Sequence, residues 1–450
     1  MKKKLVSVLM AGTLAAGMLA GCGSNSGSDT AASTAATEAA AAATEAAADA
    51  ATESAEEAAT EEAPAELDYD GDVKVWVADN VVDFTTEQIK KFQEANPGVA
   101  NATFTVEPVG EGDAASNMIT DVEAGADVYT FAQDQIARLV AAGALEEVAP
   151  ENVDAISSEN DEGAVGAATV GTTLYAYPIT SDNGYFMYYD KSVVTDPSDL
   201  DTILADCEKA GKNFYMEINS GWYQTAFFFA TGCDLSYETD DQGNFTKANV
   251  TYASDNGVTA LKEMIKINES KAFQNGSAAG DATDVGAIVD GTWDAETVKQ
   301  LLGDNYACAK LPSFTAADGK TYQLSGFGGY KLLGVKPQED EAKLAVCDAL
   351  AAYLSSEEVQ LARYEAVGWG PSNLNAQQSD EVKSDEALTA LAEQLQYTIP
   401  QGQYPGDYWT LATGLGDDVI QGNLTSSSSD DDLMKTLQTF QDTCISYAAQ

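Results

Sequence analysis

From Val73 onward, β-branched strands alternate with amphipathic helices, and few architectures accommodate that order. Val73-Lys74-Val75-Trp76-Val77 is strand-like by composition. Thr85 with Gln88 three residues later predicts a capped helix start, and Ile89 and Phe92 share one face of the helix that follows. Asn96-Pro97-Gly98 predicts its end. A second strand is expected over 103–107, a helix around 114–123 and a short buried strand over 126–131. The pattern continues past Tyr185, through 214–218 and 286–290. Helices dominate later, over 342–354, 356–366, 385–397, 408–420 and 431–447. Strands joined by helices in this way lie parallel, in sheets covered on both faces. The expected class is α/β, and about 380 residues beyond Asp70 are too many for a single core, so two domains are expected.

Histidine is absent from the whole chain, which removes Ser-His-Asp and Cys-His catalysis and every imidazole metal site. Asp and Glu number 72 against 23 Lys and Arg, a net charge of −49. Such a surface repels phosphate backbones, arguing against nucleic acid, and disfavours anionic ligands unless a local basic pocket intervenes. An uncharged ligand fits it most easily, although solubility outside a cell would explain the charge equally well. Beyond Cys22, the cysteines are Cys207, Cys233, Cys308, Cys347 and Cys444, with no CxxC or zinc spacing. Cys207 and Cys347 fall in apolar helical patterns and read as small buried hydrophobes. A Cys207–Cys233 bridge stays open.

Lys2, Lys3 and Lys4 precede an apolar run over 5–20 that is too short to span a bilayer. The run closes on Leu19-Ala20-Gly21-Cys22, which resembles the lipobox of bacterial lipoproteins. That resemblance implies removal of residues 1–21 as a signal peptide and a diacylglycerol on the Cys22 sulfur. An ordinary secretory signal followed by a chance cysteine is the alternative. Two acyl chains hold a protein on a membrane far better than one. The Ala, Thr, Ser and Glu of residues 23–66 include no lysine, arginine or aromatic, so 22–69 read as a lipidated cysteine on a solvated acidic tether. The location implied is the outer face of a bacterial cell membrane.

Five tryptophans stand at 76, 222, 293, 369 and 409. Trp76 belongs to an apolar strand and reads as core. The others sit in turn-like settings: Ser220-Gly221-Trp222-Tyr223, Asp290-Gly291-Thr292-Trp293, Gly368-Trp369-Gly370-Pro371 and Pro405-Gly406-Asp407-Tyr408-Trp409. Glycine beside a large ring lets the backbone present that ring at an opening. Rings flanked by carboxylates and amides suit a pyranose, whose C–H faces stack while its edges carry hydroxyls. Any one of these tryptophans could plug a core, but four together favour a binding cleft.

The chain resembles the extracellular solute-binding proteins of sugar ABC transporters, particularly the maltose/maltodextrin-binding branch, from about Val73 to the C-terminus. The matching pieces are the strand ending at Trp76, then 126–134, Ala141-Ala142-Gly143-Ala144-Leu145 and Leu174-Tyr175-Ala176-Tyr177-Pro178-Ile179. They continue with Tyr188-Tyr189-Asp190-Lys191, Ala230-Thr231-Gly232 with 252–256, Asp290-Gly291-Thr292-Trp293 and the Trp409 segment. No piece is specific by itself; their order is. The resemblance implies a two-lobed periplasmic-binding-protein-like (type II) fold with three hinge crossings, near 180–184, 324–330 and 371–375. The N-terminal lobe would comprise 70–181 plus 329–372, and the C-terminal lobe 182–328 plus 373–450.

For the site, the resemblance implies stacking by Trp293 and Trp409. Trp222 and Tyr223 match a tyrosine and a phenylalanine of the family's best-known relative; Trp369 is expected at the ligand from its turn setting, beside these. Phe131 stands where a stacking tryptophan would be. Asp134 keeps an acidic position, whereas Gln135 replaces an arginine. Asp182 occupies a position that is usually glutamate, and Asp79 or Asn80 supplies the acid or amide after the first strand. These departures leave an α-1,4-glucan such as maltodextrin as the expected ligand, with linkage and length open. Expected partners are the oligosaccharide and ABC permease subunits. No cofactor, metal or nucleic acid is expected, and a monomer is. Two rivals remain: a receptor for another glycan or neutral solute, and a surface glycoside hydrolase with a carboxylate pair. Thr239-Asp240-Asp241-Gln242-Gly243-Asn244 lacks calcium-loop spacing and reads as a hairpin turn, and Gly326-Phe327-Gly328-Gly329 as a lobe crossing.

Overall fold

The computed structural model describes residues 66–276 and 278–448; the expected signal peptide, Cys22 and nearly all of the tether lie outside the described residues. Two five-stranded sheets form the frame. The first runs in the order Thr103–Pro108, Asp72–Val77, Val128–Ala132, Lys331–Val335, Ala176–Thr180, and the second Phe273–Gln274, Asn213–Tyr215, Val285–Asp290, Phe186–Asp190, Tyr306–Ala309.

The expected parallel pairing holds with one exception in each sheet. Lys331–Val335 runs antiparallel to both its neighbours, and so does Phe186–Asp190. The cause is how the chain arrives. A strand reached through a helical crossover on its own sheet is held parallel, but these two are entered from the other sheet without one. Phe186–Asp190 follows Ala176–Thr180 of the first sheet after five residues, and Lys331–Val335 comes directly after a short strand, Phe327–Gly328, that pairs with Ile399–Pro400.

The central strands of each sheet are buried on both faces. In the second, Met187, Phe214 and Val289 point into a core completed by helices Thr225–Ala230, Asp255–Asn268, Gly406–Ile420 and Asp430–Tyr447. Phe186, Tyr188, Tyr215 and Ile288, one residue out of phase, fill a smaller cluster on the opposite face with Leu391 and Val298. The first sheet has its own core, around Val75, Val128, Phe131, Leu332 and Val346.

Helices and strands fall largely where periodicity puts them, with corrections at ends. The first helix is Val82–Ala95, so Thr85 is interior and buried and does not cap it. A 3-10 turn over Asp79–Val81 feeds directly into that helix and replaces a side-chain cap. The helix Ala114–Thr120 stops short of 123 because Asp121 turns extended and its carboxylate accepts the Ala124 N–H at 3.1 Å. Thr239–Asn244 is a hairpin turn, joining Leu235–Thr239 to Phe245–Val250, with Asp240 Oδ1 accepting the amides of Gln242 and Asn244. The five cysteines from Cys207 onward are unpaired, and four are buried. Burial pushes the thiols of Cys207, Cys308, Cys347 and Cys444 up to about 12 and raises that of Cys233. No helix among the described residues is long and apolar enough to cross a membrane.

Candidate ligand-binding cleft

The carboxyl ends of the parallel strands in both sheets face one cavity of about 660 Å³. Asp79 and Asn80 follow Asp72–Val77, Glu111 and Asp113 follow Thr103–Pro108, and Asp134 follows Val128–Ala132. From the other sheet, Trp222 follows Asn213–Tyr215, and Trp293 follows Val285–Asp290 on a 3-10 turn over Thr292–Asp294. Strand ends expose unpaired backbone groups and launch loops in several directions, which is why open α/β sheets bind ligands at this edge.

Trp222, Trp293, Trp369 and Trp409 all line the cavity, together with Tyr223. Trp222 and Trp293 stand 5.8 Å apart between ring centres and are tilted by 44°. Trp222 is wedged edge-on against Tyr185 and Tyr223, and its Nε1 donates to Gln401 Oε1 at 3.1 Å. Trp409 leans on Tyr404 and Tyr408, at 5.4 and 4.8 Å. Tyr223 is buried, with its hydroxyl donating to Asp290 Oδ1 at 3.3 Å. These rings are held by neighbours before any ligand arrives, which lowers the ordering cost of stacking. Gly221 is required beside Trp222, because a Cβ there would meet the Ala412 methyl at 2.6 Å.

The acids differ sharply in setting. Asp79 and Asn80 are exposed at the cavity rim. Asp134 is 3% exposed, and burial pushes its carboxyl up to about 7 against the opposing pull of Arg138 and a hydrogen bond from Trp409. A protonated Asp134 donates as well as accepts. Behind the wall, Asp290 is fully buried and raised well above the usual carboxylate range, by burial first and then by Asp294.

Two expected contacts lie elsewhere. Phe131 is fully buried in the first core, packed 5.7 Å from Tyr129 and against Gly334, so it cannot serve as a platform. Two residues after Tyr129 on the same strand, it shares that residue's face, which packs into the core. Asp182 is 1% exposed and does not line the cavity. Its Oδ2 accepts the Thr292 hydroxyl and, at 2.7 Å, the Gly370 amide, tying together the residues beside Trp293 and Trp369.

Sequence reasoning missed Lys331, Gln401, Asn183 and the Glu111–Asp113 loop. Gln135 lines the cavity but acts as a staple: its Nε2 donates to the Glu111 and Gly112 carbonyls at 2.7 and 2.8 Å, and its Oε1 accepts the Ala115 amide at 2.9 Å. Glutamines also join the two sides. Gln133 Nε2 donates to the Gln401 carbonyl, Gln403 Nε2 to the Gln133 carbonyl at 2.9 Å, and Gln403 Oε1 accepts the Ala137 amide at 2.9 Å. Gln401 and Gln403, flanking Gly402 between Pro400 and Pro405, were the available signal. Among the described residues no cluster of His, Cys, Asp and Glu could hold a metal ion.

Two α/β sheets with their strand ends facing an aromatic, acid-rimmed cavity define a solute-binding architecture. The sequence pattern of the bacterial extracellular solute-binding proteins matches residues 87–390, and the chain belongs to that family. No curated protein matches the chain significantly. Among solved structures, one determined with acarbose is similar, with a TM-score of 0.72 and 27% identity, over 83% of this chain and 98% of that one. The maltodextrin-binding protein MalE1 from L. casei BL23, solved without ligand, has a TM-score of 0.68 and 23% identity, covering 85% and 100%. The GacH receptor of Streptomyces glaucescens GLA.O has a TM-score of 0.69 and 18% identity, covering 84% and 99%. The chain has the two-lobed α/β fold of these proteins.

Proposed function

We propose that this protein is a lipid-anchored receptor of an ABC importer that captures a neutral oligosaccharide, foremost an α-1,4-glucan such as maltose or a maltodextrin. The convergence of Trp222, Trp293, Trp369 and Trp409 from distant stretches of chain on one cavity carries this reading. Its volume suits a small oligosaccharide. Similar structures add support: one is a maltodextrin-binding protein, and another, from Bdellovibrio bacteriovorus, holds maltotriose.

Trp222, Trp293 and Trp409 stack on sugar rings, with Tyr223 backing them. Asp79, Asn80 and Asp134 hydrogen-bond hydroxyls. The lobes are 70–181 plus 329–372 and 182–328 plus 373–450, with hinge crossings near 180–184, 324–330 and 371–375. Sugar favours the closed arrangement by bridging the two lobes, and the closed form docks on the permease. Cys22 carries the lipid and the protein works as a monomer at the outer face of the cell membrane, without cofactor or catalysis.

A thermal-shift screen over a panel of neutral sugars tests the ligand class, since a ligand of the folded state raises the melting temperature. Maltotriose and longer maltodextrins should give the largest shifts; a panel with no maltodextrin response sinks the α-glucan assignment. Release of reducing ends on prolonged incubation would establish a hydrolase instead.

A further inference from the structure

Lys331 is the one basic side chain in a cavity wall rich in carboxylates. It opens the strand Lys331–Val335, paired with Ala132 on one side and Thr180 on the other, and is 4% exposed. Its Nζ lies 3.5 Å from the ring centre of Trp369 and 5.1 Å from that of Trp293. Among the described residues the ammonium has no hydrogen bond and no ion pair.

A cation over an indole face is stabilised by the ring quadrupole, but that face offers no lone pair to any of the three N–H donors. Lys331 lines the cavity, so its ammonium can offer those N–H donors to acceptors that enter there. The same 3.5 Å separation excludes a pyranose from the face of Trp369 that the ammonium covers. Trp369 is itself 1% exposed, held in the first core. It is therefore a pedestal for Lys331 and leaves the stacking to the other three indoles.

We propose that Lys331 is the charged donor of the cleft and a determinant of its specificity, its ammonium seated on Trp369 and donating to the oxygens of a sugar bound in the cavity beside it. This rests on the carbohydrate reading above. The chemistry is complementary: Asp79, Glu111, Asp113 and Asp294 can only accept from hydroxyls when ionised, whereas ring and bridging oxygens of a glycan can only accept and need a donor.

Calorimetry with maltotriose on the wild-type protein, Lys331→Met and Lys331→Arg tests it. Methionine keeps the stem and the contact with both indoles but loses charge and donors. Lys331→Met should bind at least about tenfold more weakly, with a ligand-free melting temperature close to wild type, because the ammonium makes no hydrogen bond or ion pair to the rest of the described fold and the stem is kept. Lys331→Arg retains charge and donors and should bind more tightly than Lys331→Met. Wild-type affinity in Lys331→Met, or a melting temperature that falls along with its affinity, overturns the proposal; if that variant does not fold, Lys331 is structural and the proposal falls equally. A wild-type protein that binds none of the panel sugars overturns the wider reading and this one with it, so the two failures are told apart by the wild-type measurement alone.

Discussion

Trp293 follows a strand of the second sheet and Trp409 lies far beyond that sheet's last strand, in the helix Gly406–Ile420, yet both line one cavity. Truncating either to alanine should cost about 2–4 kcal/mol of binding to maltotriose, the range of central aromatic anchors, and calorimetry reads this directly. Unchanged affinity in both variants would remove them from the site. Asp134 makes a different prediction. In the folded protein it keeps its proton up to about pH 7, whereas a solvated aspartate loses it near pH 3.8. The folded state therefore binds more protons between these values, and the stability this contributes is present below about pH 4 and lost as pH rises through 7. Asp348, Glu263 and Asp290 are raised as well, so the whole-protein trend is shared. The difference between wild type and Asp134→Asn isolates its part: the variant's urea midpoint should fall less from pH 4.5 to 7.5. Parallel curves would show that Asp134 is ionised in the fold.

The hairpin Leu235–Thr239 to Phe245–Val250 shows how one element end controls an approach. Its tip glycine, Gly243, has φ +82°, and a Cβ there would lie 2.1 Å from the Ala137 carbonyl oxygen. Gly243→Ala combines left-handed strain with a backbone clash and should lower stability by about 1–3 kcal/mol, measured by urea unfolding. Element identity was legible because strands and helices announce themselves by period, as Val73–Val77 and the helix with Ile89 and Phe92 do. Ends were less so. Thr85 and Gln88 have the spacing of a capping box, but the 3-10 turn before them starts the helix earlier. Facing was least legible of all. Asp182 finds its partners 110 and 188 positions away, and no local pattern says that its carboxylate will be spent on Thr292 and Gly370. Lys331 reads locally as an ordinary strand lysine; only the return of Trp293 and Trp369 to its side makes it a cavity residue.

For the whole molecule, the order of family pieces along the sequence conveyed the two-lobed fold, since each piece marks one strand or turn and together they fix a path. The same order could not tell which of four similar tryptophan turns would be a platform and which a support. The glutamine contacts between 133–137 and 401–403 cross the cavity's edge without any charge, so these contacts themselves should depend little on salt. Small-angle scattering should show a smaller radius of gyration with saturating maltotriose. A radius indifferent to sugar would exclude closure.

The shielded thiols carry a consequence for handling and habitat alike. Sulfurs that stay protonated and walled off neither crosslink neighbouring copies in air nor rely on an oxidant to rigidify the body. Cys207, Cys233, Cys347 and Cys444 would keep the same covalent form whether the surroundings are anoxic or aerated.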